Sequence, residues 1–236
     1  MKAIILAGGK GTRLLPITKV LPKSLFPVGD KTIVEYLLQK FKAVGINQIY
    51  LSVGYLDSLL RFYFQDGSKF GVNIEYIFEE KPMGTIGSLT LVKGLDQTFI
   101  VTNGDILTTL NFKDLLIFHK KHSATATIAV YPSCISIDYG VMQWGKLPLI
   151  AGIIEKPKIK YYINMGIYVF EPKVIEYIPK NKSYNLPDLL KQLINNGEPV
   201  IGYKFSGYWR DIGNLQDYLD IITDSDQIQK IITSIS

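Results

Sequence analysis

Cysteine is nearly absent from the 236-residue chain. Cys134 stands alone, which excludes an internal disulfide and suits a reducing, cytoplasmic compartment. No histidine lies near it in sequence, so it is expected to be a quiet thiol in a strand region rather than a nucleophile. Histidine is scarce too. His119 and His122 lie three residues apart on a lysine-rich segment, where an exposed helix face is the expectation rather than a metal cage. No apolar run approaches the ~18 residues of a membrane helix. The first run, Ala3 to Leu6, is broken by Gly8 and is too short for a cleavable signal. Repeats, low-complexity tracts and linkers are missing, so residues 1–236 are expected to form a single unit. The formal charge of +5 is scattered, and its densest groups (Lys156, Lys158 and Lys160, then Lys180 and Lys182) are short. They make no stripe interleaved with aromatics, which argues against nucleic acid as a partner. Tyr161, Tyr162, Tyr168 and Phe170 are most simply strand packing.

What the chain does have is concentrated between Leu6 and Val28. A short apolar strand opens into Gly8, Gly9 and Gly11, followed by Arg13 and Lys23 and stiffened by Pro16 and Pro22. Glycine lets the backbone turn sharply, approach a ligand and offer its N–H groups to an anion. With two cations in the same segment, the stretch is a phosphate site on physical grounds. It is neither common fingerprint. The dinucleotide pattern needs glycine where Leu14 stands, and the P-loop pattern of Gly-Lys followed by Ser or Thr is missing.

Periodicity predicts an α/β fold. Thr32 can cap a helix with Val34, Leu37, Leu38 and Phe41 on its apolar face, stopped at Gly45. Strands at 49–53, 72–78 and 99–102 alternate with helices around 59–64 and 88–95. Such alternation gives a mostly parallel central sheet covered on both faces, with ligands at the carboxyl ends of the strands. The Gly8 turn, the Glu79–Glu80 segment and Asp105 each follow a strand and should meet on one rim. Beyond a helix at 112–121, strand-like pieces at 125–130, 140–143 and 163–170 suggest a small antiparallel extension. Short helices are expected at 174–178 and 186–194, then a strand at 200–205. From about Leu215 a terminal helix is expected, with Leu215, Leu219 and Ile222 on one face.

The motif order resembles one family, the nucleotidyltransferases that make nucleotide-sugars from a nucleoside triphosphate and a sugar 1-phosphate. Gly9 to Leu14 matches its G-x-G-T-R-L, followed by Pro16 with Thr18, Pro22 with Lys23, and Pro27 with Val28. Further matches are Asn103-Gly104-Asp105, Glu155-Lys156-Pro157, Asn164-Met165-Gly166-Ile167-Tyr168 and Trp209-Arg210-Asp211-Ile212-Gly213. The segment Glu79 to Gly87 resembles the part that faces the base, with Met83 and Ile86 in place of the usual Leu and Ala. The resemblance implies a Rossmann-like three-layer α/β/α nucleotidyltransferase fold, a magnesium-dependent enzyme and, in many relatives, dimers or tetramers. The left-handed β-helix that many relatives carry is not expected here.

The resemblance also assigns residues. Leu6, Ala7, Gly8, Gly9, Gly11, Thr12 and Arg13 would bind the nucleotide together with Glu79, Gly84 and Thr85. Lys23, Gly140, Glu155, Lys156, Asn164 and Gly166 would bind the sugar phosphate, and Asp105 and Asp211 the Mg²⁺ ion. Arg13, Lys23, Asp105 and Asp211 would carry the chemistry. A carboxylate only accepts hydrogen bonds, and guanine offers two adjacent donors where uracil and thymine offer one. Glu79 therefore favours GTP and guanylyl transfer to a mannose- or heptose-type sugar 1-phosphate. Thymidylyl or uridylyl transfer to glucose 1-phosphate is the alternative. Two other readings are a glycosyltransferase, which usually shows an Asp-x-Asp motif missing here, and a non-catalytic sensor.

Overall fold

The computed structural model describes residues 1–79 and 81–234. Seven strands form one sheet in the order Val200–Lys204, Ala126–Ser136, Lys158–Phe170, Phe99–Asn103, Lys2–Leu6, Gln48–Val53, Asn73–Phe78. Neighbours pair in parallel except at Lys158–Phe170, which runs antiparallel to both its partners. The sheet is therefore mixed and mostly parallel, as expected. Small two-stranded sheets flank it, one joining Val141–Trp144 to Ile150–Ile154 and another joining Ile106–Thr108 to Trp209–Asp211.

Side-chain alternation along the first strand explains the layers. Ala3 and Ile5 enter one apolar cluster with Val34, Leu37, Leu38 and Phe41 of the helix Ile33–Ala43. Ile4 enters the opposite cluster with Leu186, Leu189 and Leu193 of the helix Leu186–Asn195. The first of these helices starts where predicted, because Thr32 and Glu35 close a reciprocal capping box. Gly45, at φ +77°, ends it. A third cluster unites Leu14, Phe26 and Val28 with Ile212, Ile221 and Ile231, clamping the loop after the glycine turn against the C-terminal helices.

Several expectations need correction. The segments 88–95 and 174–178 are 3₁₀ turns, at Gly87–Leu91 and Pro172–Tyr177, rather than α-helices. The C-terminal segment is two helices, Leu215–Thr223 and Ser225–Thr233, because Asp224 leaves helical geometry between them. Leu215, Leu219 and Ile222 stay partly open, and Ile221 is the side chain that packs inward. His119 is buried, not on an exposed face. Its Nδ1 lies 2.7 Å from Thr127 Oγ1 and its Nε2 lies 3.0 Å from Glu171 Oε1. His122 does stay exposed. Cys134 lies in a strand and is exposed. Tyr168 and Phe170 stack in the core, whereas Tyr162 is open to solvent beneath Lys204. No helix among the described residues is long and apolar enough to cross a membrane.

Lys40 is the one lysine in the core among the described residues. It donates to Leu110 O and to Ser234 Oγ, and burial alone lowers its pKa from 10.5 to about 8. Between those values the unfolded chain holds the extra proton, so this lysine makes stability rise as the pH climbs through that window. The stability of Lys40→Met relative to wild type should accordingly fall by up to roughly 3 kcal/mol between neutral pH and pH 10.5. Urea midpoints at the two pH values measure this.

Candidate active site

Four parallel strands deliver their carboxyl ends to one rim. Leu6, Val53, Phe78 and Asn103 are followed directly by Ala7-Gly8, Gly54-Tyr55, Glu79 and Gly104-Asp105, and these residues line a cavity of about 750 Å³. The chain segments expected to converge do so.

The glycine turn is built from both sides. The Ala7 N–H donates to Ser52 O at 2.8 Å, tying the turn to the neighbouring strand. Gly11 sits at φ +59°, and a Cβ there would stand 2.8 Å from Thr18 Cγ2. Only glycine fits that position, and the Thr18 hydroxyl closes the turn by donating to Gly11 O at 2.9 Å. Nothing lies within 4 Å of a Cβ built at Gly9, so its backbone is open to a ligand. Thr12 and Arg13 begin a short 3₁₀ turn whose Leu14 is buried, which leaves Arg13 at the cavity wall. The Arg13 guanidinium comes within 3.5 Å of where a Cβ on Gly213 would be, so the C-terminal motif closes over it.

Asp105 and Asp211 are neighbours. Asp211 pairs in register with Ile106, and the Ile212 N–H donates to Asp105 O at 3.1 Å. Trp209 anchors this ribbon by donating its indole N–H to Met165 O at 3.0 Å. Gly104 N–H donates to Leu6 O at 2.8 Å, which sets Asp105 beside the glycine turn. Lys23 Nζ reaches Asp105 Oδ2 at 2.5 Å. The other oxygen, Asp105 Oδ1, is buried with no hydrogen-bond partner. Burial, and then the Asp105 charge, push the Asp211 carboxyl above the ordinary carboxylate range, against the pull of Lys23. Two crowded carboxylates with an unsatisfied buried oxygen are the donor set that a divalent cation relieves. Among the described residues no group of three or more His, Cys, Asp or Glu side chains gathers into a cage. A pair of carboxylates suits a hard divalent cation that completes its shell with phosphate and water oxygens.

Glu79 is held in place. Ser52 Oγ donates to its Oε1 at 2.7 Å and the Met83 N–H to its Oε2 at 3.1 Å. Gly84, at φ +74°, presses against Tyr184 O, and Thr85 Oγ1 accepts the Leu186 N–H at 2.8 Å. That loop is therefore fixed to the start of the Leu186–Asn195 helix while still lining the cavity.

The residues assigned to the sugar phosphate are split between the cavity and its surroundings. Lys23 lines the cavity. Gly166, at φ +73°, would place a Cβ 2.6 Å from Asn103 Nδ2, so it packs directly on a lining residue. Asn164 accepts the Gly166 N–H and donates to Tyr168 Oη, both at 2.9 Å, which holds the bulge where the strand register shifts. Gly140, Glu155 and Lys156 lie outside the cavity wall on an exposed ribbon. A Cβ on Gly140 would stand 3.0 Å from Glu155 Oε2, so these two are together. Lys156 adopts φ +44°, a strained value for a non-glycine residue and of the sort that clusters at functional sites. Sequence reasoning missed Ser52, Gly54 and Tyr55. A glycine directly after the strand 48–53 was the available signal for the last two.

The model of the nucleotidyl transferase family matches residues 2–227. The chain belongs to the nucleotidyl transferase family. Among curated members it is 37% identical to a UTP–glucose-1-phosphate uridylyltransferase of Synechocystis, over 94% of this chain and 62% of that protein. It is 33% identical to a mannose-1-phosphate guanylyltransferase of Mycobacterium tuberculosis, over 92% of this chain and 62% of that one. It thus spans 62% of the length of these curated relatives. A Bacillus anthracis crystal structure described as a glucose-1-phosphate thymidylyltransferase, in complex with sucrose, superposes with a TM-score of 0.76 at 27% identity, covering 94% of both chains.

Proposed function

We propose that this nucleotidyl transferase joins a nucleoside monophosphate to a sugar 1-phosphate, releasing pyrophosphate. The observation that carries the reading is the Asp105–Asp211 pair, with its unsatisfied oxygen, beside Lys23, Arg13 and an open glycine turn. A phosphate oxygen of the sugar 1-phosphate attacks the α-phosphorus. The new P–O bond forms as the bond to pyrophosphate breaks. The attacking group is already ionised, so no strong general base is required, and the protein's work is positioning and charge compensation. Gly8, Gly9 and Gly11 hold the triphosphate through backbone N–H groups, with Leu6, Ala7 and Thr12 shaping the turn. Arg13 receives the leaving pyrophosphate. Lys23 and Lys156 neutralise the attacking phosphate, while Gly140, Glu155, Asn164 and Gly166 supply the sugar side. Asp105 and Asp211 would hold Mg²⁺, which compensates charge on the reacting phosphates.

Glu79 favours guanine by its acceptor-only chemistry, and the mannose-1-phosphate guanylyltransferase relatives support guanylyl transfer to a mannose- or heptose-type sugar. The Synechocystis relative at 37% identity supports the second reading, uridylyl or thymidylyl transfer to glucose 1-phosphate. A panel of GTP, UTP and dTTP crossed with mannose, heptose and glucose 1-phosphates, scored by pyrophosphate release, tests both. GTP with a mannose- or heptose-type phosphate is expected to be fastest. Release with no sugar 1-phosphate dependence would overturn the reaction itself.

A further inference from the structure

Ser52 is fully enclosed at the carboxyl end of the strand Gln48–Val53, yet it touches two parts of the cavity wall. Its carbonyl holds Ala7 at the root of the glycine turn, and its hydroxyl donates to Glu79 Oε1 at 2.7 Å. The Met83 N–H holds Oε2. A carboxylate offers about four lone-pair sites, two on each oxygen. Ser52 and Met83 take one on each, which leaves one free on each oxygen. That remainder matches two adjacent N–H donors at the spacing of guanine N1–H and its 2-amino group. Hypoxanthine, which lacks the amino group, would leave one acceptor empty. Uracil and thymine would leave one acceptor empty and turn a carbonyl toward the carboxylate.

We propose that Ser52 is the positioning residue for base selection. Its hydroxyl fixes the rotation of the Glu79 carboxylate so that both free acceptors face the base. The inference rests on the guanylyl reading above. Glu79 has three rotatable side-chain bonds, and Met83 sits on a loop, so the buried Ser52 is the rigid half of the clamp. A Cβ at Gly8 would come 3.4 Å from Oε1, so the glycine turn borders the carboxylate as well.

The test is equilibrium binding of GTP, ITP and UTP in Mg²⁺ buffer to the full chain, which needs no knowledge of the sugar. Wild type should bind GTP about tenfold or more tighter than ITP, the value of one hydrogen bond to a charged group. Ser52→Ala should reduce that ratio to roughly threefold or less, mostly by weakening GTP. Ser52→Cys, of similar size but a weak donor, should do the same and carries the test if the alanine variant does not fold. Ser52→Thr, which keeps the hydroxyl, should restore the ratio. A GTP-to-ITP ratio unchanged in Ser52→Ala or Ser52→Cys would overturn the assignment of Ser52 and leave the guanylyl reading standing. Equal weakening of all three nucleotides would overturn it as well, by showing a structural role only. Wild type that binds UTP best, or does not separate GTP from ITP, would overturn the guanylyl reading beneath it.

Discussion

Asp105→Asn should lower kcat about a thousandfold while leaving the fold intact. The change is isosteric, so the strand Phe99–Asn103 and the Ile106–Thr108 ribbon keep their places. What is lost is charge at the one point where Oδ1 is buried without a partner and Oδ2 meets Lys23. An amide cannot bind a hard cation as a carboxylate does, and Lys23 loses its counter-charge. The crowding that raises the Asp211 carboxyl pKa is also relieved, because Asp105 is the second-largest cause of that shift after burial. Thermal unfolding of the metal-free variant is therefore expected within a few degrees of wild type. Single-turnover pyrophosphate release measures the chemical step, and a variant within tenfold of wild type would remove Asp105 from the mechanism.

Arg13→Ala should cost a hundred- to a thousandfold, on the order expected for a charged donor aimed at a leaving group. Arg13 stands at the cavity wall on a turn fixed by buried Leu14 and by the Thr18 closure of Gly11. Truncation should therefore change chemistry rather than folding. Because a guanidinium grips phosphate oxygens through a fork that an ammonium lacks, Arg13→Lys should recover only part of the rate. Nucleotide Kd should rise far less than kcat falls, since the leaving pyrophosphate needs this charge most in the transition state. A raised Kd with kcat unchanged would mean that Arg13 serves ground-state binding alone.

Much of this site was legible in the sequence because its parts are local. The glycine spacing, the Thr32 capping box and the apolar stripe from Val34 to Phe41 each declare their structure within a dozen residues. The strand-to-loop positions of Asp105 and Glu79 followed from alternation alone. Other features depend on partners distant in the chain. His119 is buried because Thr127 and Glu171 satisfy both ring nitrogens, and nothing around residue 119 announces them. Ser52 looks like an ordinary strand serine until Glu79, 27 residues on, is folded onto it. The ribbon carrying Glu155 and Lys156 extends further than its apolar pattern suggested, since the strand begins at Lys158 where residues on both faces are exposed. The segment at 88–95 has helical spacing, but it is pinned by Ile86 N–H bonding to Tyr184 O and tightens to a 3₁₀ turn.

Attack at the α-phosphorus fixes where the sugar-phosphate oxygens go. A sugar 1-phosphate carrying ¹⁸O in its non-bridging positions, incubated with wild-type protein, nucleoside triphosphate and Mg²⁺, answers this by mass spectrometry. All of the label should appear in the nucleotide-sugar and none in the pyrophosphate, with no product once the metal is chelated. Label in pyrophosphate, or turnover that persists after chelation, would contradict attack at the α-phosphorus within a site held by Asp105 and Asp211.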